Sequence, residues 1–135
     1  MKIGFIGCGN MASAFINGIL KKEIYSSDEI IASDLNETLL KDMVAQHNIQ
    51  ITTDNCLVAK SDIIVLAIKP QFYEVVIKQI KDIVSDNQII ITIAPGKTLE
   101  WLREQFGKEL KIVRTMPNTP ALIGEGVTGV CTNSN

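Results

Sequence analysis

The chain has 135 residues, 46% hydrophobic and 21% charged, with a net charge of −2. That length and balance suit one folded domain with an ordinary core and exclude a disordered segment. There is no basic block, which argues against nucleic acid as a partner, and no run approaches the ~20 apolar residues of a membrane span. No secretory signal is visible, so the cytoplasm is expected. Cys8, Cys56, Cys131 and the single His47 show no metal-ligand spacing, and no metal is expected.

The first strand is predicted over residues 2–6 and the first helix over 10–22. Between them runs Gly7-Cys8-Gly9-Asn10-Met11-Ala12, the pattern G-x-G-x-x-A. Gly7 permits a tight turn, Gly9 lets backbone approach a pyrophosphate, and Ala12 lets the helix pack closely on the sheet. Free amides and the positive dipole end at the helix start would face the phosphates. Ile6, Gly7, Cys8, Gly9, Asn10 and Met11 are therefore candidate dinucleotide-binding residues; the other reading is a tight turn that binds nothing. The Cys8 thiol reads as a small loop filler rather than a redox group.

A second strand is predicted over 29–33 and ends at Asp34; a helix follows over 37–47 with Asn36 as its N-cap. A short strand at 50–52 leads to a short helix from 53 to 59. Residues 62–68 are a nearly unbroken apolar run, as expected of a central parallel strand covered on both faces. Pro70 opens a helix over about 71–84, with Phe72, Val75, Val76, Ile80 and Ile83 as its core stripe. A strand at 88–93, a helix from the cap Thr98 to Phe106 closed by Gly107, and a strand at 112–115 follow. A Pro-, Gly- and Thr-rich loop over 116–126 precedes a last strand at 127–131. This alternation predicts an α/β fold: a Rossmann-type, doubly wound, mainly parallel sheet in one domain over 1–135. Ligands of such sheets bind beyond the strand carboxyl ends, here loops 7–11, 33–36, 67–71, 93–97 and 115–119.

Four stretches together resemble the amino-terminal half of pyrroline-5-carboxylate reductases. They are Ile3 through Ala12, Asp62 through Gln71 with its Ala-x-Lys-Pro-Gln, the loop Ile93-Ala94-Pro95-Gly96, and Arg114-Thr115-Met116-Pro117-Asn118-Thr119-Pro120-Ala121 with Gly124-Glu125-Gly126. The last is the most specific. The resemblance implies NAD(P)H-dependent reduction of 1-pyrroline-5-carboxylate to L-proline, the last step of proline biosynthesis. It implies NADP(H) or NAD(H) as cofactor. It also implies a helical second domain that forms homo-oligomers and supplies much of the substrate site. This sequence ends at Asn135, about where that domain is expected to begin, so the chain by itself is expected to be inactive.

The resemblance extends to particular residues. Asn55 matches a position at the adenosine end of the cofactor; read alone it is a helix-start residue. Ala67, Ile68 and Lys69 match a segment along the ribose and nicotinamide, although Lys69 also reads as a solvated strand-end cation. Ile93 and Pro95 match a segment near the nicotinamide, with Pro95 in place of the family's usual small residue. Met116, Pro117, Asn118 and Thr119 would lie near the transferred hydride; the residues that complete the catalytic site are expected in the second domain. Arg114 reads as a structural ion-pair or hydrogen-bond partner, and Trp101 and His47 as packing and surface residues.

Asp34 ends a strand where an acidic side chain can accept the ribose hydroxyls of NAD, and no Lys or Arg follows until Lys41. That favours NADH. Ser33, Asn36 and Thr38 can still hydrogen-bond a phosphate, which leaves NADPH open, and the other reading of Asp34 is the start of a turn before Asn36. Two further readings stand beside the reductase: another dehydrogenase with the same cofactor domain, such as a β-hydroxyacid or prephenate dehydrogenase, and an NAD(P)-binding module without turnover.

Overall fold

The computed structural model describes residues 2–93, 96–116 and 129–132. Its elements are β1 (Ile3–Ile6), α1 (Asn10–Lys21), β2 (Ile30–Ser33), α2 (Glu37–His47), β3 (Gln50–Thr52), α3 (Asn55–Val58), β4 (Ile63–Leu66), α4 (Tyr73–Ile80), β5 (Ile89–Thr92), α5 (Leu99–Phe106), β6 (Lys111–Met116) and β7 (Gly129–Thr132). The sheet order is β3-β2-β1-β4-β5-β6-β7. The pairings from β3 to β6 are all parallel, and β7 closes the edge antiparallel to β6. The parallel part has the strand order of a dinucleotide-binding sheet, with the strand order reversing between β1 and β4.

Strand alternation divides the core between two faces. Ile6, Ile64, Leu66 and Ile90 meet Tyr73, Ile77 and Leu102 on one side. Ile3, Phe5, Ala32 and Val65 meet Ala12, Ile16, Leu40 and Met43 on the other. Both faces of the central strands are thus covered, which explains why β4 reads as a continuous apolar run. Ala12 is fully buried, so α1 lies close on the sheet.

The helix after β4 departs from its predicted stripe. Phe72 and Val75 are 53% and 58% exposed, whereas Tyr73, Val76, Ile77 and Ile80 are buried. Pro70–Phe72 forms a 3-10 turn before α4 starts. A tighter turn shifts the phase, so the inward face becomes the i, i+3, i+4, i+7 set that begins at Tyr73.

Register places the strand ends in one row. Ile6 pairs with Ser33 and with Leu66, Leu66 with Thr92, and Thr92 with Arg114. The loops that follow these residues therefore share one edge. At its centre Gly7 adopts φ +107°. A Cβ there would lie 2.8 Å from the carbonyl carbon of Ala67. Gly9 has no such constraint: a Cβ would meet nothing within 4 Å. Gly7→Ala should therefore cost about 2–4 kcal/mol, combining strained backbone with overpacking. Gly9→Ala should change stability by less than about 0.5 kcal/mol. Urea denaturation of the two variants checks this contrast.

Candidate functional site

The site is built on the loop that leaves β1. The Gly7 amide donates to the Ser33 carbonyl at 2.8 Å, and the Ala67 amide donates to the Ile6 carbonyl at 2.8 Å. These bonds lace the end of β1 to both neighbours. They bring Gly7 against Ala67 and the side chain of Ile68. The next amide, of Cys8, donates to Asp34 Oδ2 at 3.0 Å, and the amide of Asn36 donates to Asp34 Oδ1 at 2.9 Å. The carboxylate both starts the turn into α2 and reaches back to the glycine loop.

The start of α1 is open. Asn36 caps α2, Asp54 caps α3 and Thr98 caps α5, each accepting a backbone amide with its side chain. By contrast, α1 begins on Gly9 with no side-chain cap, while α4, also uncapped, continues the 3-10 turn at Pro70–Phe72. Its first amides, at Asn10 and Met11, have the orientation and partial positive charge that suit an anion. The empty space where a Gly9 side chain would project lies at this helix start. These residues fit a pyrophosphate, with Ile6, Gly7, Cys8, Gly9, Asn10 and Met11 forming one turn.

The Cys8 thiol is buried and donates to the Ser33 carbonyl at 3.5 Å. Burial, and after it the Asp34 carboxylate, push this thiol up to about 12. It stays protonated at neutral pH, and its part in the site lies in its backbone amide.

Ser33 is fully buried and its hydroxyl donates to Asn55 Oδ1 at 2.7 Å. Asn55 Nδ2 donates in turn to Gln79 Oε1 at 2.8 Å. The cap of α3 is Asp54, so Asn55 is free to tie β2 to α4. Gln79 carries no sequence signal; only its pairing across the fold reveals it.

Tyr73 was also not legible as a site residue. It is fully buried, and its hydroxyl donates to the Leu66 carbonyl at 2.7 Å while accepting the Ile93 amide at 3.4 Å. It bridges the ends of β4 and β5, so it sets the spacing between the segment of Ala67, Ile68 and Lys69 and the segment that begins at Ile93. A tyrosine rather than a phenylalanine in a buried stripe was the one clue, because a buried hydroxyl needs a partner. Lys69 is exposed. Met116 ends β6, and Pro95, Pro117, Asn118 and Thr119 lie outside the described residues.

Three other expectations are refined. His47 is half-buried, with Nε2 at 2.9 Å from Ser13 Oγ, and burial lowers its imidazole below the usual range. Trp101 packs at the edge of the core with Lys97 Nζ 4.2 Å above its ring. The partner expected for Arg114 is not found at Nε, which is buried without a hydrogen bond among the described residues. Among the described residues no cluster is placed to hold a metal ion, and no helix is long and apolar enough to cross a membrane.

A small cleft of about 100 Å³ runs from Cys8, Gly9 and Asn10 to Asp42 and Gln46 on α2. A larger depression of about 530 Å³ lies at the carboxyl end of α5, walled by Glu100, Arg103, Glu104, Lys108 and Glu109. That end of α5 leads into the start of β6, opposite the row of strand carboxyl ends. It is separate from the loops described above.

A doubly wound sheet with an uncapped glycine turn at its central strand defines a dinucleotide-binding domain. The chain belongs to the family described as NADP oxidoreductase, coenzyme F420-dependent, which it matches over residues 2–96. It is also similar to pyrroline-5-carboxylate reductases. The enzyme of that name from Methanosarcina acetivorans is 37% identical over 135 residues, which are 99% of this chain and 50% of that protein. The structure of a pyrroline-5-carboxylate reductase from Coxiella burnetii superposes with a TM-score of 0.94 at 33% identity, covering 98% of this chain and 50% of that one. Plasmodium falciparum pyrroline carboxylate reductase, solved with NADP bound, gives a TM-score of 0.87 at 34% identity, covering 100% of this chain and 49% of that one. The chain spans about half the length of these relatives.

The Tyr73 bridge generates a prediction. Tyr73→Phe should lower stability by about 1–2 kcal/mol through the lost bond to the Leu66 carbonyl. Hydrogen exchange at the Ile93 amide should accelerate. Urea melts and amide exchange measured together check it.

Proposed function

We propose that this chain is the cofactor-binding half of a pyrroline-5-carboxylate reductase, using NADPH or NADH to reduce 1-pyrroline-5-carboxylate to L-proline. The observation that carries the proposal is the loop from Gly7 to Met11. Its last amides, at Asn10 and Met11, start α1 with no side-chain cap beside space that a Gly9 side chain would enter, on a chain that aligns along its whole length with reductases of that name. The bound reduced nicotinamide supplies the hydride that an imine carbon accepts, and solvent supplies the proton for its nitrogen.

The residues of this chain bind and orient. The start of α1 holds the pyrophosphate against backbone amides, so the phosphates need no basic surface. Asp34 stands at the end of β2 for a ribose, and Asn55, fixed between Ser33 and Gln79, borders the adenosine end. Ala67, Ile68 and Lys69, with Ile93 across the Tyr73 bridge, border the ribose and nicotinamide, and the resemblance assigns Pro95 to the same end. By the resemblance, Met116, Pro117, Asn118 and Thr119 serve the reacting end. A small anionic imine also needs walls that hold its ring and exclude water. We assign those walls to a helical second domain, which would also form the oligomer. The cytoplasm is the compartment proposed, where thiols such as those of Cys8 and Cys56 stay reduced.

Two measurements test this reading. Calorimetry should detect NADH or NADPH binding to the chain, and Gly9→Val should abolish it while circular dichroism stays native, because two methyl groups would fill the phosphate space. Unchanged affinity in Gly9→Val would remove the phosphate-loop assignment. The chain alone, mixed with the imine and reduced cofactor at high protein concentration, should show no useful oxidation. Turnover in the ordinary enzyme range of roughly 1–1,000 per second would show that no second domain is required.

A further inference from the structure

We infer that Asp34 makes this chain select NADH over NADPH, against the NADP of its family description and of the Plasmodium neighbour's bound cofactor. The inference rests on the dinucleotide-binding reading above. The two cofactors differ only by a phosphate on the adenosine ribose, so the selection is made by whatever faces that ribose at the end of β2.

The Asp34 carboxylate is fixed there by two amides, of Cys8 at 3.0 Å and of Asn36 at 2.9 Å. An ionised carboxylate has about four acceptor sites. Two therefore remain for a pair of ribose hydroxyls. A 2′-phosphate offers no such donors and carries close to two negative charges. It would meet Asp34 directly.

A phosphate could still be accommodated if the β2–α2 turn offered donors, and the structure shows most of them engaged. The Ser33 hydroxyl is fully buried and donates to Asn55 Oδ1. Asn36 Oδ1 accepts the amides of Thr38 and Leu39 at 3.0 and 3.3 Å, so those two donors are satisfied by the turn itself. The Asn36 amide is held by Asp34. Of the three side chains that sequence alone offered to a phosphate, the Ser33 hydroxyl is engaged and Asn36 spends its Oδ1 on the α2 cap, so the Asn36 Nδ2 and the Thr38 hydroxyl are the donors left, both neutral.

Charge at this corner points the same way. There is no Lys or Arg between Lys22 and Lys41. Glu37 follows on the first turn of α2, and Asp54 lies just beyond the end of β3, whose Thr52 carbonyl accepts the Asp34 amide at 3.3 Å. Three carboxylates at this corner repel a phosphate, whereas an uncharged ribose is indifferent to them.

The test is equilibrium binding of NADH and of NADPH to the chain, by calorimetry, in wild type, Asp34→Asn and Asp34→Ser. NADH should bind wild type more tightly, on the order of tenfold, the scale of a single charge contact near a surface. Raising salt from about 0.05 to 0.5 M should narrow the ratio, because repulsion is screened. Both variants should narrow it further, and Asp34→Asn keeps one acceptor, enough for the Asn36 amide of the turn, if Asp34→Ser unfolds. Wild type that prefers NADPH, or a ratio that moves neither with salt nor with substitution, overturns the inference while leaving the dinucleotide site in place. Binding of neither cofactor overturns the underlying site instead.

Discussion

The contact on which the rest of the structure depends is the backbone of Gly7 against the carbonyl of Ala67. The end of β1 is bonded on one side to β2, through Gly7 and Ser33, and on the other to β4, through Ala67 and Ile6. With both neighbours so close, no side chain fits at Gly7, and the chain must turn sharply with positive φ. That turn delivers the Cys8 amide to Asp34 and starts α1 at the sheet edge. The order of the sheet, the direction of α1 and the placing of the acidic residue beside the glycine loop follow from one close approach.

Apart from α4, which continues the 3-10 turn at Pro70–Phe72, helix starts here divide into two kinds. Where α2, α3 and α5 begin, a side chain from the chain itself satisfies the first amides. Where α1 begins, none does. An uncapped start costs about 1 kcal/mol relative to a capped one. Leaving that cost in place at the central strand of a doubly wound sheet is what a binding site requires, because an internal cap would compete with the ligand. The same logic read in reverse applies at α2. There Asp34 and Asn36 satisfy the turn from within, and an added anion finds little left to bind.

Much of the polar framework of the site joins segments far apart in the chain. Cys8 to Asp34, Ser33 to Asn55, Asn55 to Gln79 and Tyr73 to Ile93 each cross at least 20 residues. These bonds hold the edges of neighbouring strands at fixed separations where the sheet's own ladder has ended. Buried, satisfied bonds of this kind are costly to break at one end, so the loops they hold keep their spacing.

The sequence by itself determined the order of strands and helices, the glycine turn, the caps at Asn36 and Thr98, and the closure by Gly107. Each of these is written within about four residues, the range over which a helix turn, a cap or a strand alternation acts. Only the tertiary structure decided which face of the helix after β4 turns inward. The 3-10 turn at Pro70–Phe72 moved the phase and left Phe72 and Val75 outside. Likewise, Asp34 could be read as a ribose ligand or as the start of a turn. The structure shows it beginning the turn while its second oxygen reaches Cys8, 26 residues away. Local pattern records what a residue does to its near neighbours, but which distant donor a carboxylate meets depends on strand register, and register exists only once the sheet has assembled.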